Sequence, residues 1–210
     1  MLWKYFLYAF IALFPIVNPV AMSSVFYHMT KLATDEQRKK LATLVTIYGT
    51  VLLLATLLIG PFLLSFFGLQ PADIRVAGGL IVFSIAWRML NPPAETDNKL
   101  NQASHDDMMN LAFFPLTMPI TAGAGSIAIT IALATQAHKA TNMLDRYISV
   151  AVAIIAIFAL VYVCYRYSAE LFRILGKTGS KVVTSLSAFI LLAIGVSVIW
   201  SGVQIFIASI

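Results

Sequence analysis

The chain has 210 residues, 60% of them hydrophobic and only 11% charged, with a net charge of +5. Soluble domains carry roughly 25% charged residues, so this composition and a mean hydropathy of +0.88 exclude that class and indicate a polytopic membrane protein. The basic residues lie at the ends of apolar runs, which argues for lipid and topology rather than a nucleic-acid partner, and the single cysteine, Cys164, excludes an internal disulfide.

Six apolar segments are expected to span, at 3–29, 41–67, 74–90, 111–135, 147–167 and 182–210. Each is near or above the ~20 residues a helical crossing needs, the third being the shortest. The first segment has one lysine, Lys4, and runs apolar past Asn18-Pro19 without a small-x-small cleavage site, so it reads as a retained helix rather than a signal peptide. Gly60-Pro61 predicts a bend near the end of the second helix, and residues 66–71 leave room only for a tight connection. Trp87 and Arg88 read as an interfacial anchor. Residues 91–110 are the one long polar loop, with Pro92, Pro93 and several charges, and read as a cytoplasmic linker. His105, Asp106 and Asp107 are adjacent there and converge poorly on one metal ion, so no metal site is assigned.

Ten of the fourteen Lys and Arg residues fall on one side of this arrangement: Lys31, Arg38, Lys39, Lys40, Arg88, Lys99, Arg166, Arg173, Lys177 and Lys181. Lys4, Arg75, Lys139 and Arg146 fall on the other. The richer side is expected to be cytoplasmic, which puts both termini outside.

A repeat organises the chain. Phe14-Pro15-Ile16-Val17-Asn18-Pro19 in the first segment matches Phe114-Pro115-Leu116-Thr117-Met118-Pro119 in the fourth, and both are followed by small residues. Proline removes a backbone donor and crowds the carbonyl one turn back. Gly123 and Gly125 then ease conformations other residues avoid. Both segments therefore read as helices broken at membrane depth, where hydrocarbon tolerates open backbone only beside protein, water or a ligand. Two three-helix halves, 1–90 and 111–210, must enter the membrane from opposite sides, since three is odd. The expected fold is all-α, with six transmembrane helices as two inverted repeats, helices 1 and 4 interrupted, in a single domain.

Inverted repeats with paired broken helices are the usual plan of secondary transporters. The candidate substrate-binding residues are Asn18, Pro19 and Ser23 at the first break, and Thr117, Pro119, Thr121, Gly123, Gly125 and Ser126 at the second. Asn18 can cap a half-helix and also bond a ligand; it would serve equally as an interhelical hydrogen bond. The hydroxyls can instead bond back to their own helix, and Gly123 and Gly125 can serve close packing alone. Arg75, followed by Gly78 and Gly79, is a candidate gating or structural group: small residues there allow close helix contact, and Arg75 is placed to snorkel to the outer interface.

All nine acids lie in loops or at segment ends. None is placed to relay protons through the bilayer centre, as many pumps need. A coupling Na+ or H+ would then depend on carbonyls, hydroxyls, Asn18 or the substrate's own carboxylate. No other cofactor is implied. No nucleophile–base pair sits within the membrane, so an enzyme is not expected.

The chain resembles the MarC family of integral membrane proteins over nearly its whole length. The likeness rests on Phe14-Pro15-x-x-Asn18-Pro19, on residues 75–82, on Arg88-Met89-Leu90, and on Pro115-Leu116-Thr117-Met118-Pro119 with Thr121-Ala122-Gly123-x-Gly125. The resemblance implies six membrane helices in a bacterial inner membrane and transport of small neutral amino acids, of the glycine, alanine or serine kind. The alternatives are export, another small solute, or a structural or regulatory membrane protein that transports nothing. The family usually has Gly-Pro-Gly where this chain has Gly123-Ala124-Gly125. It also carries Arg, Gly and Gln in the last helix where Ser185, Ala188 and Ser197 stand here, so Arg75 has no partner arginine in the second half. Oligomeric state is left open.

Overall fold

The computed structural model describes residues 2–31, 33–91, 112–138 and 140–208. These form eight helices, with no strand among the described residues: α1 (Leu2–Val17), α2 (Pro19–Met29), α3 (Asp35–Phe66), α4 (Pro71–Leu90), α5 (Ala112–Thr121), α6 (Ala124–His138), α7 (Met143–Arg166) and α8 (Ser168–Ala208). The linker assigned to 91–110, with His105, Asp106 and Asp107, lies outside the described residues except for Asn91.

Local chemistry sets the boundaries. Thr34 and Gln37 open α3 reciprocally: the Gln37 N–H donates to Thr34 Oγ1 at 3.3 Å, and the Thr34 N–H to Gln37 Oε1 at 2.8 Å. Asp35 and Glu36 then sit in the first turn, where the helix dipole favours acids. At α4, the Gln70 N–H donates to Asp73 Oδ2 at 2.6 Å and Pro71 takes the first helical position. The bend expected at Gly60-Pro61 does not end α3, which continues to Phe66 with Pro61 inside it. Gly60 instead lets Ile131 of α6 approach: a Cβ there would lie 3.0 Å from Ile131 Cγ1. The last helix begins earlier than expected and turns sharply at Gly176, whose φ is 63°, a backbone region glycine enters without a steric penalty.

Among the described residues, four spans are long and apolar enough to cross a membrane: Leu2–Met29, Asp35–Phe66, Met143–Arg166 and Lys181–Ile207. Helix α4 has 20 residues but carries Asp73, Arg75 and Arg88. Helices α5 and α6 have 10 and 15 residues, each too short to cross alone.

The broken first helix runs alongside α7 in the same direction. Leu2 O lies 3.1 Å from Ser149 Oγ at one end, and Phe26 stacks on Tyr165 at the other. In the second half, α5–α6 runs alongside α3, also in the same direction. Phe113 meets Tyr48 edge-on, and Gly60 meets Ile131 further along. Helices α4 and α8 are antiparallel and close. A Cβ on Gly195 would lie 2.9 Å from Phe83 N and 3.1 Å from Gly79 O, so only glycine admits that backbone approach. Helix α4 also packs on α6, and α2 on α8. The main buried core gathers Leu13, Val17 and Phe26 from the first broken helix, Leu41, Leu53 and Leu57 from α3, Leu116 from α5, and Ile154, Phe158 and Tyr165 from α7. The outward faces are apolar, as lipid requires: Leu58, Phe62, Leu144, Phe189 and Trp200 are exposed.

Candidate functional site

The first break is one residue wide. Asn18 adopts the left-handed conformation (φ 47°, ψ 61°) between α1 and α2. Pro19 follows, so the α-helical region is sterically disfavoured for Asn18, and asparagine tolerates the left-handed alternative better than most residues. Pro15 stays within α1. The Asn18 N–H still donates to Phe14 O at 2.8 Å, and Asn18 O accepts from the Met22 N–H at 3.0 Å. The side chain caps α2: its Oδ1 accepts from the Ala21 N–H at 3.4 Å. That contact fixes which end of the amide is oxygen. The other end, Nδ2, is buried and has no hydrogen-bond partner among the described residues, in a residue only 6% exposed.

The second break is broader and differently built. Phe114 (φ −126°, ψ 121°) and Met118 (φ −121°, ψ 118°) are extended inside α5. Each precedes a proline, whose ring pushes its predecessor out of the helical region. The Phe114–Pro115 peptide is cis. Turns are wide between these points: the Ala122 N–H reaches Thr117 O at 2.8 Å, five residues back. Thr117 Oγ1 donates to Ala112 O at 2.6 Å and Thr121 Oγ1 to Leu116 O at 2.7 Å. Ser126 Oγ donates to Gly123 O at 2.8 Å, and at the first break Ser23 Oγ donates to Val20 O at 2.6 Å. All four candidate hydroxyls are therefore buried and turned back on their own backbone. That leaves the Asn18 amide as the candidate side chain with an unused donor.

The sequence allows Gly123 and Gly125 either rare backbone conformations or close packing, and neither has a positive φ. Gly125 instead makes room where the halves meet. A Cβ there would lie 2.9 Å from Val82 Cγ2 of α4 and 3.4 Å from Ile16 Cγ2 beside the first break. The two breaks are thus neighbours, and α2 also touches α5. Pro19 is buried in this region, while Pro119 follows extended Met118 in α5.

Sequence reasoning missed Tyr165, the residue that joins the two broken helices. It is fully buried near the end of α7. Its ring stacks on Phe26 of α2 with centroids 4.3 Å apart. Its hydroxyl lies 2.7 Å from Thr121 Oγ1. Because the Thr121 proton goes to Leu116 O, Tyr165 is the donor. A hydroxyl inside the apolar run 147–167 was the available signal.

The Arg75 group sits apart from the breaks. Arg75 Nη1 donates to Ser201 Oγ of α8 at 3.2 Å. Gly78 admits Ala128 of α6, and a Cβ on Gly79 would lie 2.6 Å from Ile199 Cγ1 and 2.9 Å from Gly195 O. Gly78 and Gly79 thus make close packing contacts, and Arg75 is hydrogen-bonded to α8. Three cavities, of about 660, 910 and 520 Å³, lie at the ends of the helices and are lined by no residue of either break. Among the described residues, no three His, Cys, Asp or Glu side chains come together as a metal site.

Residues 3–207 match the family model described as MarC family integral membrane protein. The chain is 30% identical over 207 residues to the membrane protein YvbG of Bacillus subtilis, covering 97% of this chain and 96% of that one. It is 30% identical over 201 residues to the inner membrane protein MarC of Salmonella typhimurium, covering 92% and 91%. A membrane protein of Buchnera aphidicola is 30% identical over 196 residues, covering 93% and 90%. No solved structure matches the chain.

Proposed function

The chain belongs to the MarC family of integral membrane proteins, and from that premise we propose that it is a secondary transporter of small neutral amino acids, glycine, alanine or serine in kind. The reading begins from topology. The broken helix of each half runs parallel to the second helix of the other half and packs on its third. Exchanging the halves reproduces the pattern, as an inverted repeat requires. Six crossings follow, with α4 and α5–α6 added to the four long spans. Lys4, Arg75 and Arg146 then lie on the outer side with both termini, in a bacterial inner membrane.

One observation carries the function. Asn18 leaves a buried amide donor unpaired at a break that lies against the second break. A buried donor without a partner is costly, on the order of 1–3 kcal/mol, and a substrate carboxylate or carbonyl would satisfy it. The small residues around it suit a small guest. With the hydroxyls of Ser23, Thr117, Thr121 and Ser126 already donating, a coupling Na+ or H+ would be served by carbonyl oxygens of α5 and by the substrate itself. Alternating access would rock the halves about this junction.

Uptake of labelled glycine or alanine into proteoliposomes, with and without a sodium or proton gradient, tests the reading. Saturable uptake that Asn18→Gly removes is the expected result. The packing of Gly125 on Ile16 and Val82 favours one rival, a structural or regulatory membrane protein whose breaks only pack. Absence of flux in either direction, for these and other small solutes, would leave that rival standing. Efflux without uptake would make the protein an exporter.

A further inference from the structure

The 660 Å³ cavity lies where α1 begins, α6 ends and α7 begins. Among the described residues, its charged lining residues are Lys4 and Arg146, with no acid. Arg146 is held in place rather than free: Nη2 donates to the Tyr5 hydroxyl at 2.7 Å, Nη1 to Gln136 O at 3.4 Å, and the guanidinium carbon lies 4.2 Å from the Tyr5 ring centroid. Its Nε is buried and has no partner among the described residues. Leu133 and Val150 give the cavity an apolar wall, while Trp3 and Tyr8 are 67% and 53% exposed at its mouth.

Fixed cations beside exposed aromatic rings at a helix end are what a membrane–water interface selects. A basic pocket between membrane helices offers the phosphate of an anionic headgroup its counter-charge, whichever leaflet supplies the lipid. We propose that this cavity holds an anionic phospholipid, with the headgroup phosphate on Arg146 and Lys4 and an acyl chain along Leu133 and Val150. Cationic and apolar linings together fit a phosphate that carries a chain better than free phosphate. Because α1 belongs to the first half and α6–α7 to the second, the lipid would sit across the seam between them.

Trp3 reports on the site directly. With Trp87→Phe and Trp200→Phe it is the last of the three tryptophans. The full chain is reconstituted in phosphatidylcholine bilayers containing an equal fraction of brominated phosphatidylglycerol or brominated phosphatidylcholine. The expected result is stronger quenching of Trp3 by the anionic lipid, with Arg146→Gln abolishing the preference. Lys4→Gln alters an exposed side chain, so it tests the site without relying on the Arg146 variant folding. It should weaken the preference on the order of fivefold, the effect of one interfacial cation. Excess inorganic phosphate should leave the quenching unchanged. Equal quenching by both lipids, or a preference that survives both variants, overturns the proposal. So does relief of quenching by phosphate, which would assign the site to the free anion. Protection of Trp3 that grows with protein concentration rather than lipid would assign the face to a second copy and equally overturn it.

Discussion

At the scale of single residues, Asn18 has two separable roles, one for the backbone and one for its amide. Glycine keeps the left-handed conformation and gives up only the cap, a loss of a few tenths of a kcal/mol. Asn18→Gly should therefore unfold in detergent near the wild-type temperature while losing substrate uptake. Asn18→Val should lose stability as well, by roughly 1–2 kcal/mol, because a β-branched residue is forced into the left-handed region. Uptake by Asn18→Gly at the wild-type rate would show that the buried amide is not used. Tyr165 offers the complementary case. Tyr165→Phe keeps the stacking on Phe26 and leaves Thr121 bonded to Leu116 O, so the loss should be about 1 kcal/mol. If the hydroxyl also ties α5 to α7 during transport, the maximal uptake rate changes while the half-saturating concentration holds. These two residues show how far the site was legible in sequence. Asn18 stands out in the sequence as the most polar side chain at either break, although a cap or an interhelical bond explains it as well as a ligand does. For Thr117, Thr121 and Ser126 the sequence offers a ligand or their own helix, and the coordinates commit their protons to backbone carbonyls. Tyr165 escaped because its importance lies in contacts with residues 44 and 139 positions away, which no local pattern records.

At the scale of elements, the contact of α4 with α8 and the turn from α2 into α3 make opposite demands on chemistry. Helices α4 and α8 approach backbone to backbone at Gly79 and Gly195. Gly195→Ala should lower stability by about 1–3 kcal/mol, because neither backbone can yield to the added methyl. Gly179→Ala, in the same helix, is the control. Its new Cβ meets Leu175 Cβ at an ordinary 3.4 Å, so the better helix former should raise stability by up to about 1 kcal/mol. Thermal unfolding of both variants in one detergent checks the pair, and equal shifts would contradict the packing described. The connection from α2 to α3 depends on Arg38, which is buried at 7% exposure. It donates to Thr30 O and Ala33 O, both at 3.2 Å, and pairs with Asp35 at 2.8 Å. Asp35 is 92% exposed, so Asp35→Asn should change stability by less than about 1 kcal/mol. Arg38→Gln should lose more, about 1–3 kcal/mol, because two carbonyls lose charged donors. Hydropathy located the long helices well, since a run of apolar residues has one way to satisfy its backbone in lipid. It read Arg38 only as a topology charge, because burial of a guanidinium depends on carbonyls supplied by a turn. It likewise took Gly60-Pro61 for a bend, where the neighbouring Ile131 explains the glycine.

At the scale of the molecule, the crossing count can be checked independently of function. Residues near Lys4, Gln136 and Arg146 gather at one end of the helices, around a single cavity. Tyr27, Glu170 and Arg173 line another cavity at the far end, where α2 finishes and α8 starts. Helices α1–α2 and α7 are parallel, so an even number of reversals separates them. With α3, α4 and α5–α6 all crossing, there are four. If only one of α4 and α5–α6 stayed within one leaflet, the termini of α7 would exchange sides and Leu2 could not meet Ser149; either both cross or neither does, and the run of α5–α6 along α3 from Tyr48 to Gly60 favours both. The charge bias predicts a direction for this count, with Lys4 and Arg146 outside and Arg173 inside. Single cysteines at Lys4, Gln70 and Thr141, in a Cys164→Ala background, should react with an impermeant maleimide in intact cells. Cysteines at Lys31, Asn91 and Arg173 should react only after the membrane is opened. Reaction of Asn91 in intact cells, with Lys31 and Arg173 still protected, would contradict six crossings. The mirror-image pattern would keep the fold and reverse its orientation, making the positive-inside bias of this chain misleading.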